Sequence, residues 1–248
     1  MAEIPQREVL VTSVMVCKRN DTGVKQACML MQDAFTELFY AYGCNGEPMQ
    51  RKCGALWILT RSSYRLIRPP RWMERVIVRC WPVRIAICGV YVNLSITSLD
   101  GGPLLLARAD LMLIDETTRR PRRLAGTLFP TDMPTEPAVY PERHEPWPEG
   151  EGAEPAGEFI VSVDDEDMNG HANNLAYVRW LLAAGGDEAM DSRRFTLHYL
   201  RECRRGEILT GTRRPVPGGV AVELTADGIP AAQGIFYASA EFPAEPAD

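Results

Sequence analysis

Several features typical of secreted, membrane and metal-binding proteins are missing from the sequence. It has no run of 18 or more apolar residues, and residues 1–8 contain no basic stretch followed by an apolar one. Neither a membrane span nor a signal peptide is therefore predicted. The seven cysteines include no C-x-x-C pair, which argues against a disulfide framework and against a zinc knuckle. Reduced thiols and a cytoplasmic location are expected.

Basic residues other than arginine are also scarce. Lysine occurs only at positions 18, 25 and 52, histidine occurs three times, and the net charge is −6. An acidic chain of this kind is not expected to bind nucleic acid. No His-Glu-x-x-His sequence is present, so neither a metal nor another cofactor is expected.

Hydrophobic residues make up 46% of the 248 positions, which is enough to bury a large core. Their spacing predicts two halves of like order, each with a strand, a helix and a series of antiparallel strands. In the first half we predict a strand at 7–16, a helix at 26–42, and strands at 56–65, 75–81, 86–98 and 104–114. In the second half we predict a strand at 159–163, a helix at 174–184, and strands at 194–202, 208–212, 220–226 and 233–242.

Two such halves indicate an α+β protein built as a tandem (double) hot-dog, in which each curled antiparallel sheet wraps around one long helix. The predicted domains are residues 1–130 and 158–248. Between them, residues 131–157 carry six prolines interleaved with glutamate, and they are predicted to form an extended linker. His144 lies in this linker and is predicted to be a solvated loop residue.

The polar loop before the second helix holds the densest set of reactive side chains. Asp167, Asn169 and His171 occupy every second position, and in an extended segment such residues project to the same side. Capping and turn formation is the competing interpretation, since Asn173 or Asn174 is suited to cap the helix. A carboxylate, an amide and an imidazole beside a helix N-terminus suit the polarisation of a carbonyl group. The first half has no counterpart to this set, so one catalytic centre per chain is expected.

A second polar pair, Glu202 and Cys203, lies at the end of the predicted strand 194–202. Neighbouring residues of a regular strand point to opposite faces, so both can reach one site only if the strand bulges or turns there. If the strand is regular, Glu202 is the favoured member of the site.

The second half resembles the catalytic half of the acyl-acyl-carrier-protein thioesterases, a plant and bacterial family of the FatA/FatB type. The residues that carry this resemblance are Asp167, Asn169, His171, Asn173, Asn174, Tyr177, Trp180, Tyr199, Arg201, Glu202 and Cys203. The resemblance continues through the first half at residues 57–61, 70–72 and 117–124, so it covers nearly the whole chain. Two features depart from the family: the plant transit peptide is absent, and Ala172 stands where valine is common.

The resemblance implies hydrolysis of fatty-acyl thioesters on acyl carrier protein, with the catalytic positions at Asp167, Asn169, His171, Glu202 and Cys203. We expect Glu202 or Asp167 to activate a water. Asn169 and backbone N–H groups would hold the oxyanion, and His171 would orient the base or the water. The alternative makes Cys203 the nucleophile and His171 its base. Cysteine attack would only exchange one thioester for another of similar energy, so water attack is favoured.

Contacts with the rest of the substrate are also expected from the resemblance. In that family the first half shapes the acyl pocket, so the acyl chain is expected to contact Met29, Met31, Phe35 and Phe39, and Asn174 is a further expected substrate contact. Two arginine groups are rival contacts for the acidic carrier protein. They are Arg119, Arg120, Arg122 and Arg123 in the first half, and Arg201, Arg204 and Arg205 in the second.

Two other functions are compatible with the same residues: an acyl-CoA thioesterase on this fold, and a non-catalytic acyl-binding module. The acyl chain length and the oligomeric state are left open, with a homodimer among the compatible assemblies.

Overall fold

Two units, each with an antiparallel sheet and a long helix, make up the computed structural model, which describes residues 4–130, 132–141 and 143–242. The first unit contains the chain up to Ser62 and the residues Arg68–His144. The second contains Ser63–Ile67 and the chain from Glu145 onward. The order of strand, helix and antiparallel strands predicted for each half is confirmed.

The first unit has five strands in the order β1-β3-β4-β5-β2. They are β1 (Gln6–Leu10), β2 (Ala55–Leu66), β3 (Arg75–Ile85), β4 (Gly89–Ser98) and β5 (Pro103–Asp115). The end of β2, from Ser63 onward, belongs to the second unit. Helix α1 (Val24–Ala41) packs against β3 and β4 and buries a stripe that includes Leu30, Met31 and Leu38. A short helix, α2 (Gly46–Cys53), was not predicted, and the predicted strand 7–16 ends early because Ser13–Met15 form a 3₁₀ turn.

The second unit has the strand order β7-β10-β9-β8-β6. Its strands are β6 (Glu154–Ile160), β7 (Arg194–Tyr199), β8 (Ile208–Val216), β9 (Gly219–Ala226) and β10 (Ile229–Tyr237). Helix α3 (Asn174–Met190) packs on β8, β9 and β10. Helix α3 can approach β9 closely because residue 185 is glycine: a Cβ there would lie 3.0 Å from a methyl group of Val222. Gly186 has φ +65° and interrupts the helix where the sequence predicts its end.

The proline-rich stretch is not a free linker. Strand β6 begins at Glu154, inside the predicted linker 131–157, because Glu154 and Pro155 pair with β8. We call residues 132–141 the crossing segment. Its Val139 and Tyr140 N–H groups both donate to Oδ1 of the buried Asn93, at 2.7 and 3.0 Å.

The prediction of a solvated His144 is wrong. Its side chain is only 3% exposed, and Nε2 lies 3.0 Å from Oδ1 of Asp110 on β5. Arg108 pairs with the same oxygen at 3.2 Å. The histidine is buried beside a carboxylate that is distant in the sequence, which the local pattern around residue 144 does not reveal. No helix in the described ranges is long and apolar enough to cross a membrane.

Candidate active site

The loop from Asp165 to Asn173, called the site loop here, is a tight turn and not the extended segment that the spacing predicted. Asp167 Oδ1 accepts the backbone N–H groups of Asn169 at 2.8 Å and His171 at 3.3 Å. Asp167 N–H donates to the His171 carbonyl at 2.7 Å, and Gly170 has φ +73°. A short carboxylate that bonds its own backbone favours turns over strands. The carboxylate of Asp167 is consequently bound to its own loop, and Asn169 is exposed.

Asp165 anchors both ends of the site loop. Its buried carboxylate accepts the Ser162 N–H at 2.8 Å and hydroxyl at 2.6 Å and pairs with Arg179 on α3. Its carbonyl accepts the N–H of Asn173 at 2.7 Å. Asp165 therefore ties the start of the site loop both to its end at Asn173 and to helix α3. The sequence analysis did not assign a role to Asp165, although four acidic residues in a row at 164–167 were visible.

Helix α3 begins at the predicted cap. Asn173 Oδ1 accepts the N–H of Leu175 at 2.9 Å, which makes Asn173 the N-cap and Asn174 the first helical residue. The side-chain cap satisfies one of the free N–H groups of the first turn. Asn173 is therefore the N-cap, and Asn174, the other candidate, is not. The predicted contact of Asn174 with substrate stays a prediction.

Strand β7 ends at Tyr199, three residues before the end predicted at 202. The N–H groups of Leu200 and Arg201 both point to one acceptor, the carbonyl of Ala231, at 2.9 and 3.1 Å. Two donors on one carbonyl break the alternation that a ladder needs. Glu202 and Cys203 thus lie on irregular backbone, and the alternation argument that separated their side chains does not apply.

Glu202 faces the imidazole of the site loop. His171 Nε2 lies 3.6 Å from Glu202 Oε2, with side-chain exposures of 14% and 41%. The backbone also joins the two segments, because Ala172 N–H donates to the Cys203 carbonyl at 2.8 Å. The structure therefore places His171 beside Glu202, joins Cys203 to the site loop through its backbone carbonyl, and leaves Asp167 hydrogen bonded within its own turn. The catalytic roles of these residues stay predictions.

Cys203 is fully buried. Burial raises the pKa of the Cys203 thiol above its ordinary value, the nearby Tyr177 hydroxyl opposes this shift, and the Glu207 carboxylate adds to it. The hydroxyl of Tyr177 accepts the Cys203 N–H at 2.8 Å. A neutral, buried thiol is a poor nucleophile, because the thiolate is the reactive form.

Glu207 is a neighbour of the site that the sequence analysis missed. Its carboxylate pairs with Arg201 at 3.1 Å and accepts the Arg204 N–H at 3.2 Å. The available signal was its position directly after Arg204, Arg205 and Gly206, between the predicted strands 194–202 and 208–212. Arg201 also donates to the Ala226 carbonyl at 2.7 Å. Because it is held internally, Arg201 is not proposed as a carrier protein contact.

The remaining arginines differ in how firmly they are held. Arg122 pairs with Asp115 at 3.3 Å and donates to the Gly54 carbonyl at 3.2 Å. Arg205 lies 3.7 Å from Glu166. Five predicted carrier contacts have exposed side chains: Arg119, Arg120, Arg123, Arg204 and Arg205.

The predicted acyl contacts lie on α1. Met31 and Phe39 are buried, Met29 and Phe35 are half-buried, and the Phe39 ring lies 4.6 Å from that of Trp57. A cavity of about 350 Å³ in the first unit is lined by other residues. They are Thr60, Arg61, Ala86, Cys88, Gly89, Tyr91, Asp110, Leu111, Met112 and Pro121. The α1 pocket stays a prediction.

Across residues 4–130, 132–141 and 143–242, no group of three or more His, Cys, Asp or Glu side chains is placed to hold a metal ion. The second unit therefore presents an imidazole, a carboxylate and a buried thiol around one helix N-terminus. Such a set can deprotonate a water and hold a developing negative charge.

Two sequence models of known domains match this chain. The acyl-ACP thioesterase N-terminal domain matches residues 6–129, and the acyl-ACP thioesterase C-terminal domain matches residues 151–226. The chain belongs to the acyl-ACP thioesterase family. The C-terminal match contains every residue of the candidate site.

Curated plant relatives agree with this assignment. The dodecanoyl-[acyl-carrier-protein] hydrolase of Umbellularia californica is 25% identical over 237 residues, which cover 90% of this chain and 62% of the relative. The oleoyl-acyl carrier protein thioesterase 2 of Arabidopsis thaliana is 25% identical over 192 residues, or 71% and 52% of the two chains. The chain spans about half the length of the curated relatives it matches.

Solved structures share the fold. An acyl-ACP thioesterase from Bacteroides thetaiotaomicron superposes with a TM-score of 0.84 at 19% identity, covering 94% of this chain and 97% of the other. The 12:0-ACP thioesterase from Umbellularia californica gives 0.73 at 19% identity, covering 94% and 96%. The predicted α+β tandem hot-dog is confirmed.

Proposed function

We propose that the protein hydrolyses fatty-acyl thioesters carried on acyl carrier protein and releases free fatty acid. The observation that carries the proposal is the pairing of His171 with Glu202, at 3.6 Å, inside the segment that matches the family's C-terminal domain. The partner is the acidic carrier protein with its acyl-phosphopantetheine arm. The first unit is proposed to hold the acyl chain.

In the proposed reaction, water is the nucleophile. Glu202 takes a proton from the water while the water oxygen forms a bond to the thioester carbonyl carbon. N–H groups at the start of α3, together with Asn169, stabilise the oxyanion. The carbon–sulfur bond then breaks, and the departing thiolate takes up the proton held by the Glu202–His171 pair. The products are a fatty acid and the free pantetheine thiol.

The environment of Cys203 supports water attack over a covalent route. Its thiol is buried, and burial raises its pKa, so the thiolate needed for nucleophilic attack is disfavoured. Tyr177 and Ala172 also hold its backbone on both sides. Cys203 is accordingly proposed to shape the position of Glu202 and not to bond the substrate.

Free fatty acid release by the purified protein tests the proposal. A series of acyl carrier protein thioesters is compared with the matching acyl-CoA thioesters, and the fatty acid is quantified by mass spectrometry. A higher kcat/KM on carrier protein thioesters is expected. A preference for CoA thioesters would make the protein an acyl-CoA thioesterase, and acyl binding without release would make it a binding module.

Location and assembly belong to the same proposal. The absence of a paired-cysteine motif predicted reduced thiols and a cytoplasmic location, and a homodimer is the assembly proposed for the working enzyme. Light scattering coupled to size-exclusion chromatography measures the assembly directly.

A further inference from the structure

Glu202 lies on backbone that has left the sheet, yet a side chain that removes a proton has to be held in place. The structure supplies that support from α3. Tyr177 is 3% exposed, and its hydroxyl donates to the Arg201 carbonyl at 3.0 Å while accepting the Cys203 N–H at 2.8 Å. These two backbone groups belong to the peptide units on either side of Glu202.

We propose that Tyr177 is the positioning residue for Glu202. Its single hydroxyl hydrogen bonds to both peptide units that flank Glu202 and thereby holds the Glu202 carboxylate against His171. The inference rests on the proposed hydrolysis. A hydroxyl is suited to this task because it is both a donor and an acceptor. It substitutes for the ladder hydrogen bonds that end at Tyr199.

The surroundings of Tyr177 keep its hydroxyl protonated and its ring in place. Burial raises the pKa of Tyr177 above its ordinary value, so the hydroxyl keeps its donor proton throughout the physiological range. Its ring meets Trp180 edge-on at 5.5 Å and Tyr199 at 6.2 Å. Packing thus positions the ring independently of the hydroxyl, and a phenylalanine can occupy the same space.

The test uses Tyr177→Phe, with Tyr237→Phe as a matched loss of a half-buried hydroxyl on β10 of the same unit. A displacement of about 1 Å in a catalytic group costs about 100-fold in rate. We therefore expect Tyr177→Phe to lower kcat on carrier protein thioesters about 10- to 100-fold. KM should change little, because the lost contact positions the base and does not bind substrate. Tyr237→Phe should retain the wild-type kcat.

Two further measurements separate positioning from general support. Residues that act as one unit have non-additive effects, so the double variant Tyr177→Phe, Glu202→Gln should be no slower than Glu202→Gln alone. Hydrogen exchange at the Cys203 amide should be faster in Tyr177→Phe than in the wild type, because its acceptor is gone.

Several outcomes would overturn the proposal. They are a wild-type kcat in Tyr177→Phe, additive losses in the double variant, unchanged exchange at Cys203, and melting of Tyr177→Phe below the assay temperature. The last result would mean that the hydroxyl supports the fold and not the site. If the wild-type protein releases no fatty acid, the proposed function fails, whereas the exchange experiment still reports whether Tyr177 holds this backbone.

Discussion

The imidazole of His171 and the carboxylate of Glu202 lie 3.6 Å apart, although one belongs to a turn before α3 and the other to the segment after β7. A small closure upon substrate binding would bring the two groups within hydrogen-bond distance. Asp167, the other candidate base, bonds the N–H groups of Asn169 and His171. The two carboxylates therefore have different surroundings: Asp167 bonds the backbone of its own turn, whereas Glu202 faces the imidazole of His171.

Replacing each carboxylate by its amide tests this division. Glu202→Gln should lower kcat by about 10²- to 10⁴-fold, because a general base contributes about that much. Asp167→Asn should lose less, since one oxygen of Asp167 accepts both loop N–H groups and an amide oxygen can still accept them. Fatty acid release under single-turnover conditions measures both. A greater loss in Asp167→Asn would make Asp167 the base, and wild-type rates in both variants would exclude the water mechanism.

Removal of the Cys203 thiol distinguishes the water route from the covalent route. Cys203→Ala should retain more than about a tenth of the wild-type kcat, because loss of a true nucleophile removes nearly all activity. Cys80→Ala is the matched control, as Cys80 is a buried thiol on β3 of the first unit. Near-complete inactivation of Cys203→Ala beside an active Cys80→Ala would establish covalent catalysis.

Charge reversal locates the carrier protein contact. Arg204→Glu and Arg205→Glu, or alternatively Arg119→Glu and Arg120→Glu, should lower kcat/KM on carrier protein thioesters while sparing CoA thioesters. The effect should shrink as salt rises, because the screening length falls from about 10 Å at 0.1 M to about 3 Å at 1 M. Arg51→Glu, on exposed α2, is the control. A wild-type rate that is insensitive to salt would argue against both arginine groups.

Acid stability should depend on Asp110. Burial alone would raise its pKa, but the hydrogen bond and charge of His144, together with Arg108, hold the pKa of Asp110 below its usual value. A lowered pKa stabilises the fold above the ordinary carboxyl pKa of about 3.9, and this contribution is lost as the pH falls through the folded value. Urea unfolding of Asp110→Asn should show lower stability at pH 7 and a smaller loss on acidification than the wild type.

The exposed Asp132 provides the comparison for that experiment. Asp132→Asn should unfold as the wild type does at both pH values. If Asp110→Asn and the wild type lose equal free energy of unfolding on acidification, the pair with His144 contributes nothing to stability.

Hydrophobic periodicity was sufficient to predict the long helices and most strands. It placed α1 within two residues of both observed ends, because its buried stripe recurs at helical spacing. Side-chain chemistry predicted a cap at Asn173 or Asn174, and the structure has it at Asn173. Helix α2 escaped prediction because its eight residues include Gly46 and Pro48 and bury only Met49.

Most of the errors have one physical cause: the structure at those positions depends on contacts with residues that are distant in the sequence. His144 is buried by Asp110, a residue on β5. The end of β7 is set by the Ala231 carbonyl, which takes two N–H groups. The turn at Asp167 is the exception, since the Asp, Asn and Gly residues that form it are visible in the sequence. The every-second-residue spacing of Asp167, Asn169 and His171 led to the prediction of an extended segment, whereas the turn-forming residues decide the conformation.

The crossing segment shows where the chain can change its length. Asn93 Oδ1 accepts N–H groups from Val139 and Tyr140, and Arg79 pairs with Glu136 at 2.7 Å. Inserting one residue between Glu136 and Tyr140 would leave the buried amide oxygen of Asn93 without its donors, which costs about 1–3 kcal/mol. The exposed residues 151–153 carry no such constraint in their backbone pairing. A fluorescent or affinity tag inserted into the chain therefore belongs at 151–153 and not in the proline-rich stretch before it.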